Sequence, residues 1–366
     1  MKLTKEKVLD LLKEVKDPLT GQNIVTTNRV GSIQVDESKV QCSLVFTQAL
    51  DQQQKSGLNF ACMQAINQKY PDLQVHIHLE TQHTSGSPQR SVLPQVKNII
   101  AVASGKGGVG KSTVSTNLAL GLQKAGYKVG LLDADLYGPS IPTMLGLEGE
   151  KPRIQEVHGK QKIVPLSAYG MPVISIGFIV EPEQAVVLRG PRLAGIIKQF
   201  IQECIWPELD YLVIDLPPGT GDIQLTLVQT VPLTGVVIVT TPQKVAIADA
   251  LKAINMFKLP SVDIPILGVV ENMAWFTPKE LPDNKYFLFG RGGGALLAKN
   301  SDTIVLGQVP LVQSIMDGGE QGKPVMLDEG QPAVQQIWEG VTEELLKSVA
   351  HRLRTIGPST IVQTQG

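Results

Sequence analysis

Cysteine is the scarcest informative residue in this chain. Among 366 residues there are only Cys42, Cys62 and Cys204, with no C-x-x-C spacing anywhere. That excludes a disulfide framework and fits a reducing compartment. An excess of either charge is also missing, since 33 Lys and Arg face 34 Asp and Glu for a net charge of −1. No electrostatic footprint for nucleic acid follows from that balance, so the expected partners are small molecules or proteins. No apolar run approaches the roughly 18 residues of a membrane span. The polar start Met1-Lys2-Leu3-Thr4-Lys5-Glu6-Lys7 does not read as a signal peptide, so a cytoplasmic location is expected. What the chain does have is length and a 42% hydrophobic content, enough for two domains with proper cores, one of them large.

The first stretch, 1–80, reads as a small α+β domain. Thr4 is placed to cap a helix carrying Val8, Leu11, Leu12 and Val15, ending before Asp17-Pro18. Ser32–Val35 and Val40–Phe46 flank Asp36-Glu37-Ser38 as a hairpin. A helix over Gln52–Gln68 and an alternating strand, Leu73–Leu79, complete the unit. His76 and His78 share one face of that strand, with His83 nearby, and the group fits either a metal site or a solvent-facing row. Residues 81–95 are polar and breaker-rich and read as a linker.

From 96 to 366 strands alternate with helices, the pattern of a mostly parallel sheet covered by helices on both faces. The continuous apolar strand Asn98–Ala103 runs into Gly105-Lys106-Gly107-Gly108-Val109-Gly110-Lys111-Ser112-Thr113, and Ser112–Ala125 reads as a helix stopped by Gly126. Strand, glycine-rich turn and helix in that order make G-x-x-x-x-G-K-[ST] a phosphate loop. Backbone N–H groups of Gly105, Gly107, Gly108, Val109 and Gly110 and the helix N-terminus are placed to face phosphate oxygens. Lys111 would reach the β- and γ-phosphates of ATP, and Ser112 would give its hydroxyl to Mg²⁺. Further strands are expected at 129–133, 172–177, 211–215, 235–240, 266–272 and 304–309, and helices at 192–203, 223–229, 245–258 and 333–350.

Carboxylates lie at two of these strand ends. Asp215, after Tyr211-Leu212-Val213-Ile214, has the position of a Walker-B residue that holds Mg²⁺. Asp133 and Asp135 follow Leu131-Leu132. Asp135 is the candidate for orienting the attacking water, and Asp133 for holding the metal shell or the loop.

Together, 105–113, Asp133-Ala134-Asp135-Leu136-Tyr137-Gly138-Pro139-Ser140 and Asp215-Leu216-Pro217-Pro218-Gly219-Thr220-Gly221-Asp222 resemble the Mrp/ApbC family of iron–sulfur cluster carrier ATPases. That family lies in the deviant-Walker group, with the nitrogenase iron protein and the Min and Par positioning ATPases. The resemblance covers residues 96–350, and residues 1–80 look like a MIP18-type domain. It implies P-loop ATPase activity with ATP and Mg²⁺, an iron–sulfur cluster as cargo, and apoproteins and assembly proteins as partners. It also implies a homodimer in which Lys106, the additional lysine, reaches the partner's phosphates. For Asn272, in Val269-Val270-Glu271-Asn272-Met273, it implies pairing with the adenine edge; a plain strand-end turn residue is the alternative.

The family's C-x-x-C after Glu-Asn-Met is absent. Trp275-Phe276-Thr277-Pro278-Lys279-Glu280-Leu281-Pro282 stands there, although Phe289-Gly290-Arg291-Gly292-Gly293-Gly294 resumes the resemblance. The small domain's Thr-x-x-Cys-Pro turn is likewise replaced, by Thr47-Gln48-Ala49-Leu50-Asp51. Cys204 lies in an apolar helix and reads as a small buried hydrophobe. Cluster ligation by the usual thiolates is therefore not expected. A competing function, a positioning ATPase on a membrane or scaffold, draws on the tail. There Leu345, Leu346, Val349, Leu353 and Ile356 fall at helical spacing beside Lys347, His351, Arg352 and Arg354. The same stripe extends back through Ile337 and Val341, which suits a helix docked on the sheet.

Overall fold

A computed structural model describes residues 4–27, 29–35, 39–46, 50, 52–71, 73–81, 93–135, 138–178, 190–278, 280–281, 283–357 and 359. The chain forms two compact units, Met1–Gln89 and Arg90–Gly366.

In the first unit α1 (Lys5–Leu12) begins at Thr4, whose hydroxyl accepts the Lys7 N–H at 3.5 Å. Its spacing buries Val8, Leu11 and Leu12. Strands β1 (Val30–Val35) and β2 (Lys39–Phe46) pair antiparallel; the expected turn at 36–38 lies outside the described residues. β3 (Gln74–Thr81) adds to β2 in parallel, which requires a crossover, and α2 (Gln52–Asn67) supplies it. Alternation along β2 buries Val40, Cys42, Leu44 and Phe46 against Cys62 and Ile66 of α2. His76 and His78 are exposed beside buried Val75, a solvent-facing row; His83 lies outside the described residues. Of the stretch expected as a linker, Thr81 ends β3, 82–92 lie outside the described residues, and Leu93 is already buried in the second unit's core.

The second unit is built on an eight-stranded sheet. Its strands are β4 (Val96–Ser104), β5 (Val129–Asp133), β8 (Leu166–Ala168), β9 (Met171–Ser175), β10 (Leu209–Asp215), β11 (Gly235–Thr240), β12 (Ile266–Glu271) and β13 (Val305–Gln308). Their order is β13-β12-β11-β4-β10-β5-β9-β8. All neighbours are parallel except β8 with β9. Every residue of β5 and β11 is buried. Because successive side chains point to opposite faces, both faces of those strands are covered. The chain leaves β4 for β5 across a gap that β10 later fills, then places β11 on the other side of β4. The carboxyl end of β4 thus lies at a switch of direction, where open α/β sheets bind ligands.

The helices are α3 (Lys111–Lys124), α4 (Ile141–Met144), α5 (Gly190–Glu203), α6 (Asp222–Thr230), α7 (Lys244–Phe257), α8 (Gly293–Asn300), α9 (Gln313–Glu320) and α10 (Pro332–Ile356). The tail stripe belongs to α10, where Val334, Trp338, Val341, Leu345 and Val349 are buried against the sheet and α3. Of the tail residues themselves, Leu345 and Val349 are docked in the core, whereas Leu353 is 38% and Ile356 61% exposed. Among the described residues no helix is long and apolar enough to cross a membrane. The sequence reading missed the hairpin of β6 (Arg153–Val157) and β7 (Lys160–Val164), the edge strand β8, and helices α4, α8 and α9.

Candidate nucleotide site

β4 ends at Ser104 and α3 begins at Lys111, so residues 105–110 must turn the chain within six residues. Two glycines are dictated by packing. A Cβ on Gly105 would stand 2.1 Å from the Asp249 carbonyl carbon in α7, and Gly110, at φ +80°, would put one 2.1 Å from Asn272 Nδ2. The loop borders a cavity of about 330 Å³ that also meets Lys106, Thr113, Asp135 and Pro218.

Of the expected site residues, Lys106, Gly107, Gly108, Gly110, Lys111, Ser112, Thr113 and Asp135 border this cavity, while Gly105, Val109, Asp215 and Asn272 lie behind that lining. Lys111, 6% exposed, places its ammonium 2.8 Å from Asp215 Oδ1 and 3.3 Å from Asp135 Oδ2. The Ser112 hydroxyl donates to Asp215 Oδ2 at 2.6 Å. Asp215 is fully buried, and an additional hydroxyl, Ser115, donates to its Oδ1 at 2.6 Å. This oxygen-only donor set suits a hard cation such as Mg²⁺. Parallel pairing of β10 with β5 sets Asp215 opposite Asp133.

Asp133 acts on the loop. Its Oδ1 accepts the Asp135 N–H at 3.0 Å and its Oδ2 accepts the Ser175 hydroxyl at 2.9 Å. Burial and the adjacent Asp215 carboxylate push its carboxyl up to about 8, outweighing the opposing pull of those hydrogen bonds and Lys111. Lys106 is half-buried at the lip, with Nζ 3.5 Å from Gln243 Oε1. Among the described residues no carboxylate pairs with it. Asn272, at the end of β12, donates Nδ2 to the Val109 carbonyl at 2.9 Å.

Sequence reasoning missed Ser115, Ser175, Gln243 and Gln224; the Gln224 amide donates to Pro217 O at 2.8 Å and Gly219 O at 3.1 Å, fixing the loop after Asp215. Only Ser115 carried a signal, lying one helical turn beyond Ser112.

The segment lacking C-x-x-C is a cross-bridged loop. Phe276 and Tyr286 exchange two backbone hydrogen bonds of 2.8 Å, Lys285 lies 4.2 Å over the Trp275 ring, and Arg291 lies 3.7 Å over Phe287. Lys279 and Pro282 fall outside the described residues. All three cysteines are elsewhere and buried. Among the described residues no group of three or more His, Cys, Asp or Glu is arranged to hold a metal ion.

Residues 95–346 match the family model of the NUBPL iron-transfer P-loop NTPase, and residues 5–77 match that of an iron–sulfur cluster assembly protein. The iron–sulfur cluster carrier protein of Synechocystis sp. is 40% identical over 350 residues, covering 95% of this chain and 98% of its own. The Dictyostelium discoideum iron–sulfur cluster transfer protein NUBPL is 38% identical over 296 residues, covering 81% and 90%. A nucleotide-binding protein from Archaeoglobus fulgidus, solved with ADP, is 38% identical with TM-score 0.56, covering 67% of this chain and 92% of that one. MinD from Pyrococcus horikoshii, at 20% identity and TM-score 0.50 over 70% and 98%, shares the fold. The chain is a P-loop NTPase, and it belongs to the NUBPL iron-transfer P-loop NTPase family.

Proposed function

We propose that this chain binds and hydrolyses Mg·ATP as a homodimer and uses that cycle to carry iron–sulfur clusters to apoproteins. The observation that carries the reading is the convergence of Lys111, Ser112, Asp215 and Asp135 beneath a glycine loop with no room for side chains at Gly105 and Gly110. Backbone N–H groups of residues 105–111 bind phosphate oxygens, and Lys111 exchanges its carboxylate partners for the β- and γ-phosphates. Ser112, with Asp215 behind it, would hold Mg²⁺, which when bound supplies charge neutralisation on the phosphates. Asp135 orients the water whose oxygen attacks the γ-phosphorus as the bond to the β-phosphate oxygen breaks, giving ADP and phosphate. Lys106, free of any carboxylate among the described residues, is the cation presented across the dimer to the charge that builds up in the transition state.

The names of the relatives support cluster carriage, as does the family to which residues 95–346 belong. The cluster is cargo, and the Trp275–Phe289 segment offers it no thiolate. Contact through another protein's ligands, or through an added thiol, fits these residues.

The test separates binding from turnover. Lys111→Ala should weaken Mg·ATP by about 10- to 100-fold in calorimetry, the value of one or two lost charge-assisted hydrogen bonds. Asp135→Ala should bind ATP and accumulate as dimer, and Lys106→Ala should bind ATP without hydrolysing it. Unchanged affinity in the first variant would remove the nucleotide site; unchanged turnover in either of the others would remove that residue from the mechanism.

A further inference from the structure

β5 and β9 lie side by side, and their register sets Asp133 opposite Ser175 at the carboxyl ends of both strands. Ser175 has no exposed surface, so its hydroxyl must find its partners inside the protein. It accepts the Gly177 N–H at 3.0 Å and donates to Asp133 Oδ2 at 2.9 Å. The N–H occupies a lone pair, which leaves the hydroxyl's one hydrogen for the carboxyl group. Asp133, 1% exposed, uses its other oxygen to accept the Asp135 N–H at 3.0 Å. One residue earlier the Ala134 N–H donates to Asp215 O at 2.9 Å. Two hydrogen bonds therefore fix the backbone that carries Asp135, and one of them is only as rigid as the Asp133 side chain. Among the described residues Ser175 is the one side chain that hydrogen-bonds Asp133.

The same corner supports the far end of the loop. After β9 the chain makes a 3₁₀ turn, Ile176–Phe178, in which a Cβ on Gly177 would stand 2.8 Å from both Cβ and Cγ of Pro139. Pro139 is thus seated on bare backbone, between Gly138 and Ser140, which border the cavity as Asp135 does. Ser175 does not border it, so its effect on the ligand runs through Asp133. Phosphate binding draws on the 105–111 backbone and on Lys111, and among the described residues neither hydrogen-bonds Ser175. Orientation of an attacking water is the more exposed step, since a displacement of about 1 Å costs on the order of 100-fold in rate.

We propose that Ser175 is a positioning residue for hydrolysis: through the Asp133 carboxyl group it sets where Asp135 holds the attacking water, and it governs turnover and not nucleotide affinity. The proposal rests on the nucleotide reading above, and its test can fail separately. Mg·ATP affinity and stoichiometry by calorimetry, and single-turnover hydrolysis per binding-competent site, are compared for the parent, Ser175→Ala, Asp135→Ala and the two changes together. Ser175→Ala should hydrolyse about 10- to 100-fold more slowly, with affinity held within about threefold. In the Asp135→Ala background the same change should cost less than about twofold, because residues that act as a unit are not additive. A serine that only stabilised the fold would cost the same factor in both backgrounds. Parental turnover in Ser175→Ala, an affinity that falls as far as the rate, or equal factors in the two backgrounds would overturn it. Should Ser175→Ala yield no binding-competent sites, Ser175→Cys fills the space with a weaker donor and should show the same pattern with a smaller fall. A parent that binds no Mg·ATP would remove the nucleotide reading itself, and full-rate hydrolysis by Asp135→Ala would remove Asp135 together with this proposal. Ser175 alone is excluded when Asp135→Ala is slow and Ser175→Ala is not.

Discussion

Lys111 is held by the carboxylates it must release, and that arrangement is a matter of charge balance. Asp215 and Lys111 are almost wholly buried, and an unpaired charge at either position would be costly. The small unit repeats the logic at Asp17, which has no exposed surface and receives Arg29 Nε at 2.8 Å and the Leu19 N–H at 2.8 Å. Burial would raise the Asp17 carboxyl, but the Arg29 hydrogen bond, the Leu19 N–H and the Arg29 charge together outweigh it and lower the pKa below 3.8. A carboxyl depressed by folding contributes stability above its unfolded pKa and loses it as pH falls through the folded value. Arg29→Met keeps the apolar stem near Phe46 but removes the charge, so the first unit should lose about 3–5 kcal/mol at neutral pH. Hydrogen exchange across Val40–Phe46 reads that loss directly. The gap between parent and variant should be full at neutral pH, begin to close as the variant's unpaired, burial-raised Asp17 protonates above its ordinary pKa, and vanish once the parent's Asp17 protonates below it; a gap independent of pH would mean that Arg29 acts by packing alone.

At the scale of elements, α10 shows what sequence periodicity can and cannot decide. Its apolar stripe was legible, and although flanking Arg and Lys also suit a lipid surface, its extension back through Ile337 and Val341 favoured docking on the sheet. Buried contacts support docking: Leu345 is fully buried, Val349 is 2% exposed, and the Ser348 hydroxyl donates to Leu267 O at 2.6 Å, while Leu353 and Ile356 at the helix end are exposed. Leu345→Ala should cost about 2–5 kcal/mol in denaturant unfolding of the large unit, and the parent should not sediment with anionic liposomes. A normally stable variant, or lipid binding that it abolishes, would return the tail to the membrane reading. The strands of the parallel sheet were legible because burial on both faces forces continuous apolar runs such as Leu212-Val213-Ile214. The β6–β7 hairpin was not, since β6 is largely exposed and its turn, His158-Gly159 at φ 52° and 76°, lacks the usual Asn-Gly or Asp-Gly signal. Helices α8 and α9 carry paired glycines that mask their periodicity. At the site, Lys111, Ser112 and Asp215 were legible because phosphate chemistry fixes residue type and spacing. Ser175 and Glu271 were not, because they act on groups brought close only by the fold, the Asp133 carboxyl group and the Gln308 amide, and Gln224 was not, because it holds backbone carbonyls of the preceding loop, which no residue pattern marks.

At the scale of the molecule, the cysteines decide what kind of carrier this chain is able to be. Two lie in the first unit, Cys42 on β2 and Cys62 on α2, and Cys204 follows α5 in the second. A cluster needs thiolates that iron can reach. Burial pushes Cys42 up to about 11, and burial pushes Cys62 and Cys204 up to about 12, so all three are neutral thiols at physiological pH. Each is also enclosed, with 1%, 0% and 6% of its surface exposed. In the folded protein at pH 8 a thiol reagent of disulfide type should therefore react slowly with all three, whereas denaturant should release three equivalents at once. Anaerobic reconstitution with iron and sulfide should leave no stable [4Fe–4S] cluster on the parent unless a small thiol such as glutathione is supplied. Iron counting and visible absorption on the desalted protein, run beside the triple Cys→Ser variant, make this decisive. A stoichiometric cluster in the triple variant without added thiol would show that non-cysteine ligands suffice. Loss of a parent cluster on changing Cys42 or Cys62 alone would place the cargo site in the first unit and require that unit to open, since neither sulfur is accessible in the closed fold.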